Sequence, residues 1–256
     1  MRHALHALKG LAPSLCGKAL RAAACLSAAA LLAGCQGLAR TGNSAMVRVI
    51  DVSPDSPALD VYQGNNAVAY NLSSGTVTSY VPVAPGHSAF TISPAGSRRP
   101  LSLAEGDLRA SGRYTVLVGR SLADMQPILL ADHVHPASTA EASAPLVRIV
   151  NQAERTGPVD VYLVPAGERL TAVAPIATRL EPGANTGYIA APACTCAAVF
   201  LPAGTVPSAG LAAHIGAQLH YAAGEARTFI LLDPQTESSI LQVITADDED
   251  SPPEAR

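Results

Sequence analysis

The feature that most constrains this chain is that it repeats itself. Val47-Arg48-Val49-Ile50-Asp51 recurs as Val147-Arg148-Ile149-Val150-Asn151, and Asp60-Val61-Tyr62 as Asp160-Val161-Tyr162, both at an offset of one hundred residues. Farther on, Tyr80-Val81-Pro82 through Ser93-Pro94-Ala95-Gly96 matches Tyr188-Ile189-Ala190 through Leu201-Pro202-Ala203-Gly204 at an offset of 108. The second copy therefore carries eight extra residues near Leu163–Ala174. Beyond them, Arg113–Leu117 parallels Arg227–Leu231, and Ile128–Asp132 parallels Val243–Asp247. Two copies are too few for a solenoid, which stacks three or more units. They read as a duplicated domain.

Each copy reads as all-β. Short apolar or alternating runs at Val47–Val52, Leu59–Tyr62, Val77–Val83, Ala89–Ile92, Tyr114–Val118 and Ile128–Leu130 are separated by turn chemistry such as Ser53-Pro54-Asp55-Ser56-Pro57, Gly64-Asn65-Asn66 and Ala84-Pro85-Gly86. In these turns, proline fixes φ, glycine opens the left-handed region, and Asp, Asn or Ser side chains bond to nearby backbone. About seven short strands at this spacing make a sandwich of two sheets. The first sandwich is assigned to 46–134 and the second to 146–246. An Ala/Ser/Thr/Pro-rich linker at 135–145 separates them, and an acidic tail at 247–256 is expected to be disordered.

The first 34 residues read as a targeting segment. Arg2, Lys9, Lys18 and Arg21 give a positive start, and the apolar run Ala22–Ala33 is twelve residues long. A membrane-spanning helix needs about 20, whereas a secretory core needs only about 7–15. The run ends in Leu32-Ala33-Gly34-Cys35, which resembles the lipobox of bacterial lipoproteins. That resemblance implies cleavage before Cys35, thioether attachment of a diacylglyceryl group, and usually acylation of the new amino terminus. The partner would then be a lipid bilayer, with residues 35–45 as a lipidated tether. Cys16 and Cys25 lack enough apolar sequence before them. The alternative is an ordinary cleaved signal followed by an incidental cysteine. Gln36, rather than Asp, follows the cysteine; by resemblance to Gram-negative sorting rules this favours the outer membrane.

Cleavage at Cys35 removes every lysine and leaves thirteen arginines against twenty acidic residues, a net charge near −7 over 222 residues. An acidic body argues against nucleic acid as a partner, since that needs a basic footprint. The absence of Trp and the 4% aromatic content argue against an aromatic-lined sugar cleft.

The run Val49-Ile50-Asp51-Val52-Ser53-Pro54-Asp55-Ser56-Pro57-Ala58-Leu59-Asp60-Val61-Tyr62, the Ala84-Pro85-Gly86 and Ser93-Pro94-Ala95-Gly96 turns and the Tyr114–Val118 strand together resemble the domain of unknown function 4397 family. The resemblance extends over both repeats, roughly 46–246. The second copy departs from it where Gln152–Pro158 replaces the Ser-Pro-Asp-Ser-Pro turn. It implies an immunoglobulin- or transthyretin-like sandwich on a bacterial surface protein and no established activity.

Few residues could carry chemistry. Cys194 and Cys196 align with Gly86 and Ser88, so the pair is expected to flank a hairpin turn. Residues i and i+2 of a straight strand lie about 6.6 Å apart, at the edge of disulfide reach. A local disulfide, free thiols and a metal or redox site all stay open. His133 and His135, next to Asp132, share a strand face but lack a third ligand beyond a distant His87, and His214 and His220 form no ligand spacing. Asp60 and Asp160 recur; either accepts turn N–H groups or binds calcium with Asp55 or Asp51. Arg48 and Arg148 also recur and read as outward-facing, paired with Asp60 or Asp160. No Gly-x-Ser-x-Gly elbow or phosphate-cradling loop occurs. The expectation is a non-enzymatic binding or envelope-structural lipoprotein with a protein or glycan partner and no cofactor. The alternative is a periplasmic redox or metal-handling protein working through Cys194 and Cys196.

Overall fold

Valine-rich runs broken every few residues by Pro and Gly favour strands over helices, because β-branched side chains fit a pleated surface and turn residues stop it. The computed structural model describes residues 44–132, 144–208, 214–234 and 241–248, all lying within the unit Asn43–Arg256. The first copy forms eight strands: β1 (Ala45–Asp51), β2 (Leu59–Gln63), β3 (Asn66–Leu72), β4 (Val81–Val83), β5 (Gly86–Pro94), β6 (Ser102–Leu108), β7 (Arg113–Gly119) and β8 (Gln126–Ala131). The second repeats them as β9 (Leu146–Asn151), β10 (Val159–Pro165), β11 (Ala177–Leu180), β12 (Asn185–Ala190), β13 (Cys194–Pro202), β14 (His214–Tyr221), β15 (Ala226–Leu232) and β16 (Gln242–Asp247).

The two halves share one pattern of sheet orders. The first copy has β4-β1-β7-β8 and β3-β2-β5-β6; the second has β12-β9-β15-β16 and β11-β10-β13-β14. In each, the central pair of the first sheet is parallel (β1 with β7, β9 with β15) and the remaining pairs are antiparallel. Each copy thus has eight strands, one more than the sequence spacing suggests.

Alternation places Val47, Val49, Val116 and Val118 against Val61, Phe90 and Ile92 of the facing sheet in the first sandwich. Ile149, Val161, Phe200 and Phe229 do the same in the second. The opposite faces of β1, β7, β9 and β15 are buried too. Ile50, Leu117, Leu130, Val150, Ile230 and Ala246 form one further cluster that joins the two copies. The molecule is therefore four sheets deep, and its two inner sheets are covered on both sides.

Three expectations need correction. The tail begins later than residue 247, since β16 includes Asp247 and Asp248 is fully buried; residues 249–256 lie outside the described residues. The late repeat register shifts by one, because Thr115 corresponds to Thr228 and Asp132 to Asp248, as their identical hydrogen bonds below show. A one-residue slip exchanges the two faces of a strand, so this decides which residues meet between the copies. Cys194 and Cys196 do not flank a hairpin. They open β13 just after the chain crosses from one sheet to the other, as it does at Ala84-Pro85 between β4 and β5.

The eight extra residues replace the tight Gly64-Asn65 hairpin between β2 and β3, where Gly64 takes φ 58°. In the second copy the longer connection includes a short 3-10 turn at Leu170–Ala172.

Candidate functional site

The two copies meet through a buried polar cluster inside the apolar seam. Arg48 on β1 is only 2% exposed, although its place in an alternating strand suggested an outward side chain. It does not reach Asp60. Its Nε donates to Thr115 Oγ1 at 2.8 Å, one terminal nitrogen donates to the Asp247 carbonyl at 2.7 Å, and the other pairs with the Asp248 carboxylate. Arg148 repeats the pattern across the seam: Nε to Thr228 Oγ1 at 3.0 Å, then the Ala131 carbonyl at 3.0 Å and Asp132 at 2.6 Å. The Tyr80 hydroxyl donates to Asp132 and that of Tyr188 to Asp248, at 2.8 and 2.7 Å. Thr115 and Thr228 donate to the same two carboxylates. The guanidinium groups of Arg48 and Arg148 lie 4.9 and 4.7 Å from the ring centres of Tyr80 and Tyr188.

Each copy's arginine thus binds the other copy's aspartate. Such reciprocity is the signature of a two-fold interface, here built within one chain. Two buried arginines face two buried aspartates, so the cluster is neutral and its hydrogen bonds compensate burial. Burial opposes the charge on Arg48, but Tyr80, Asp248 and Asp132 outweigh it and hold its pKa above the ordinary value. Burial, followed by Asp132, raises the Tyr80 hydroxyl well above the usual phenol range. Tyr188 is also raised, by burial first and then, against Arg148, by Asp248. Both phenols are therefore held protonated as donors.

A polar cleft of about 610 Å³ opens at the seam, between Val52, Pro54 and Arg120 of the first copy and Gln152, Glu154 and Asp233 of the second. Arg120 bridges the copies with Nε 3.1 Å from Glu154 and also pairs with Asp124, while Arg155 approaches Asp233 at 3.6 Å. Gly119 makes room for Gln152, whose amide oxygen occupies the space a Cβ there would need. The cleft lining contains no His, Cys or Tyr, and its charges are mutually paired.

The remaining candidates do not converge on this cleft. Asp60 accepts the N–H groups of Asn71 and Gly96 and the Tyr62 hydroxyl, and Asp160 accepts those of Arg179 and Gly204. These carboxylates clamp turns. Burial opposes ionisation of Asp60, but the Asn71 and Gly96 N–H groups outweigh it and lower its pKa. Asp51 is turned to Ser53 and Ser56 and Asp55 to the Leu122 N–H, so neither shares a ligand geometry with Asp60. Asn151, in the place of Asp51, caps the equivalent loop through Ala153, Gly157 and Leu180.

Cys194 and Cys196 are joined by a disulfide with Cα atoms 5.5 Å apart, and Cys196 is fully buried. His87 pairs with exposed Asp107, while His214 lies beside Phe200 and His220 beside Thr195. Cys35, His133 and His135 lie outside the described residues. Among the described residues no group of three or more His, Cys, Asp or Glu is placed to hold a metal, and no helix is long and apolar enough to cross a membrane.

The family model for a domain of unknown function (DUF4397) matches residues 45–162. No curated protein matches the sequence. Among solved structures, the chain is similar to the family CBM26 module CBMbc of Eubacterium rectale Amy13K, crystallised with maltoheptaose, at 10% identity and a TM-score of 0.27 over 79% of this chain and 97% of that one. It is also similar to the Bacillus anthracis TIE protein, at 8% identity and a TM-score of 0.21 over 74% of this chain and 34% of that one.

Proposed function

We propose that this chain, which belongs to the DUF4397 family through residues 45–162, is a lipid-anchored envelope lipoprotein that acts as a non-enzymatic binding or structural module. The observation that carries the reading is the seam. Its buried polar groups are spent on holding two sandwiches together, and none is left poised as a nucleophile beside a base. A body fixed in this way presents its outer surfaces at constant spacing, which suits a tethered module. Cys35 would carry the lipid, and several acyl chains give stable anchoring where one chain is marginal. The residues between Cys35 and the start of β1 at Ala45 would link the lipid to the folded body. Gln36 favours the outer membrane.

Two measurements test this. Cys35→Ala should release the protein from the membrane fraction, and persistent membrane association would refute the anchor. In-cell crosslinking followed by pull-down should recover a reproducible envelope protein or glycan; failure to recover one, repeated with several crosslinkers, would count against a binding module. The redox alternative rests on the Cys194–Cys196 disulfide. It requires a bond that glutathione opens in the folded protein, which thiol titration reads directly.

A further inference from the structure

The two copies differ on the outer face of the sheet that carries β2 or β10. In the second copy the inserted segment folds over that face, with Leu170 and Val173 packed on Tyr162, Val164, Val199 and Leu201. In the first copy the two-residue hairpin supplies no such cover. Tyr70 on β3 is left 66% exposed, its ring edge-on to Tyr62 at a centroid distance of 5.8 Å. The Arg98 guanidinium lies 3.8 Å from the Tyr62 ring centre. With Asn71 and Ser97 these residues rim a depression of about 390 Å³ floored by Asp60.

The chemistry of the rim selects among occupants. Asp60 accepts two backbone N–H groups and the Tyr62 hydroxyl, and Arg98 attracts it electrostatically without forming an ion pair or a hydrogen bond with it. The Tyr70 hydroxyl, the Asn71 side-chain amide and the Arg98 guanidinium make no hydrogen bond among the described residues. An aliphatic peptide segment, the kind of cover the second copy uses, would leave these three polar groups unpaired at a cost of about 1–3 kcal/mol each. A cationic ligand would be drawn to the tyrosine faces but repelled by Arg98. A pyranose meets the rim on all counts: its C–H face can lie on the exposed Tyr70 ring while its hydroxyls reach the amide and guanidinium.

We infer that this depression binds a saccharide carrying an acidic group, one ring stacked on Tyr70 and its anion facing Arg98. This deepens the binding reading above by naming a ligand class and a site. It departs from the expectation drawn from low aromatic content in that stacking here needs a single exposed tyrosine. The second copy lacks the site, with Thr178 in the place of Tyr70 and the insertion over the face.

Calorimetric titration of the full chain in detergent with tetragalacturonate, and with neutral cellotetraose as comparison, tests the inference. Tetragalacturonate should bind with a sub-millimolar Kd, about tenfold tighter than cellotetraose. Tyr70→Ala should weaken it by about tenfold or more, Tyr70→Trp should retain it, and Arg98→Gln should erase the preference for the acidic sugar. Because Tyr70 projects into solvent, its variants should unfold at the wild-type midpoint. No heat at millimolar tetragalacturonate, equal affinity for the neutral sugar, or full binding by Tyr70→Ala would each overturn the proposal. None of these would touch the crosslinking result, so failure of the saccharide site and failure of the module reading remain distinguishable.

Discussion

Arg48→Met removes one arm of the seam and leaves the rest in place. The variant deletes a hydrogen bond to Thr115, one to the Asp247 carbonyl and the pairing with Asp248, all inside protein. Asp248, fully buried, would then keep only the hydroxyls of Thr228 and Tyr188 at 2.7 Å as donors. Hydrogen bonds to charged groups contribute about 1.5–3 kcal/mol each, and breaking a buried pair by removing one partner costs about 3–5 kcal/mol. A loss of about 4 kcal/mol is a large share of the roughly 5–15 kcal/mol that stabilises a typical domain. Urea unfolding at pH 7 reads it, and the weakened seam should split one cooperative transition into two. Replacing Asp248 with Leu in the same chain should recover much of the loss, since an apolar seam needs no counter-charge. A deficit below about 1 kcal/mol would refute the reasoning.

Truncation after Ala246 removes both the Asp247 carbonyl and the Asp248 carboxylate that hold Arg48, so it should destabilise about as much as Arg48→Met, which thermal unfolding reads; an unchanged midpoint would refute the role of these two groups. Asp51→Asn should stabilise the protein at neutral pH. Burial raises the Asp51 pKa to about 6 from 3.8, so the folded state holds a proton that the unfolded state has lost, and stability falls as pH rises from about 4 to 6 by at most roughly 3 kcal/mol. The amide removes that slope, and unfolding at pH 4.5 and 8 will show it; an unchanged slope would place the titration elsewhere. Cutting the Cys194–Cys196 ring by Cys194→Ala should cost under about 2 kcal/mol in chemical unfolding, because a two-residue separation closes so small a loop.

The duplication, the all-β class and the eight-residue insertion were legible because they depend on local pattern: turn residues recur at fixed offsets and β-branched runs lie between them. The seam was not. An alternating strand with arginine at its second place reads as half-exposed, and Val47-Arg48-Val49-Ile50 has that pattern. The contrary signal lay in Tyr114-Thr115-Val116-Leu117-Val118 and Phe229-Ile230-Leu231-Leu232, unbroken apolar runs of the kind that mark strands covered on both faces. A one-residue slip in matching those runs concealed Thr115 and Thr228 as counterparts, and with them the recurrence of Asp132 as Asp248. Pairing between residues two hundred apart cannot be read from spacing at all; only the reciprocity of the two arginines reveals it.

The seam also explains how two sandwiches of the same sheet order can differ on the outside. Arg48 needs Asp248 from the second copy, and Arg148 needs Asp132 from the first, so the inner sheets are constrained together. Among the described residues the outer sheets carry no such cross-copy pairing, so they can diverge. The second copy covered its outer face with Leu170 and Val173, stabilising the apolar cluster around Tyr162. The first kept its short hairpin and left Tyr70 and Arg98 toward solvent. A duplicated scaffold thereby separates two tasks that one sandwich would have to combine: the inner faces supply stability, and one outer face remains available for recognition. The place to look for a ligand is where the copies differ in covering, rather than at the polar cleft of the seam, whose arginines are already matched by Glu154, Asp124 and Asp233.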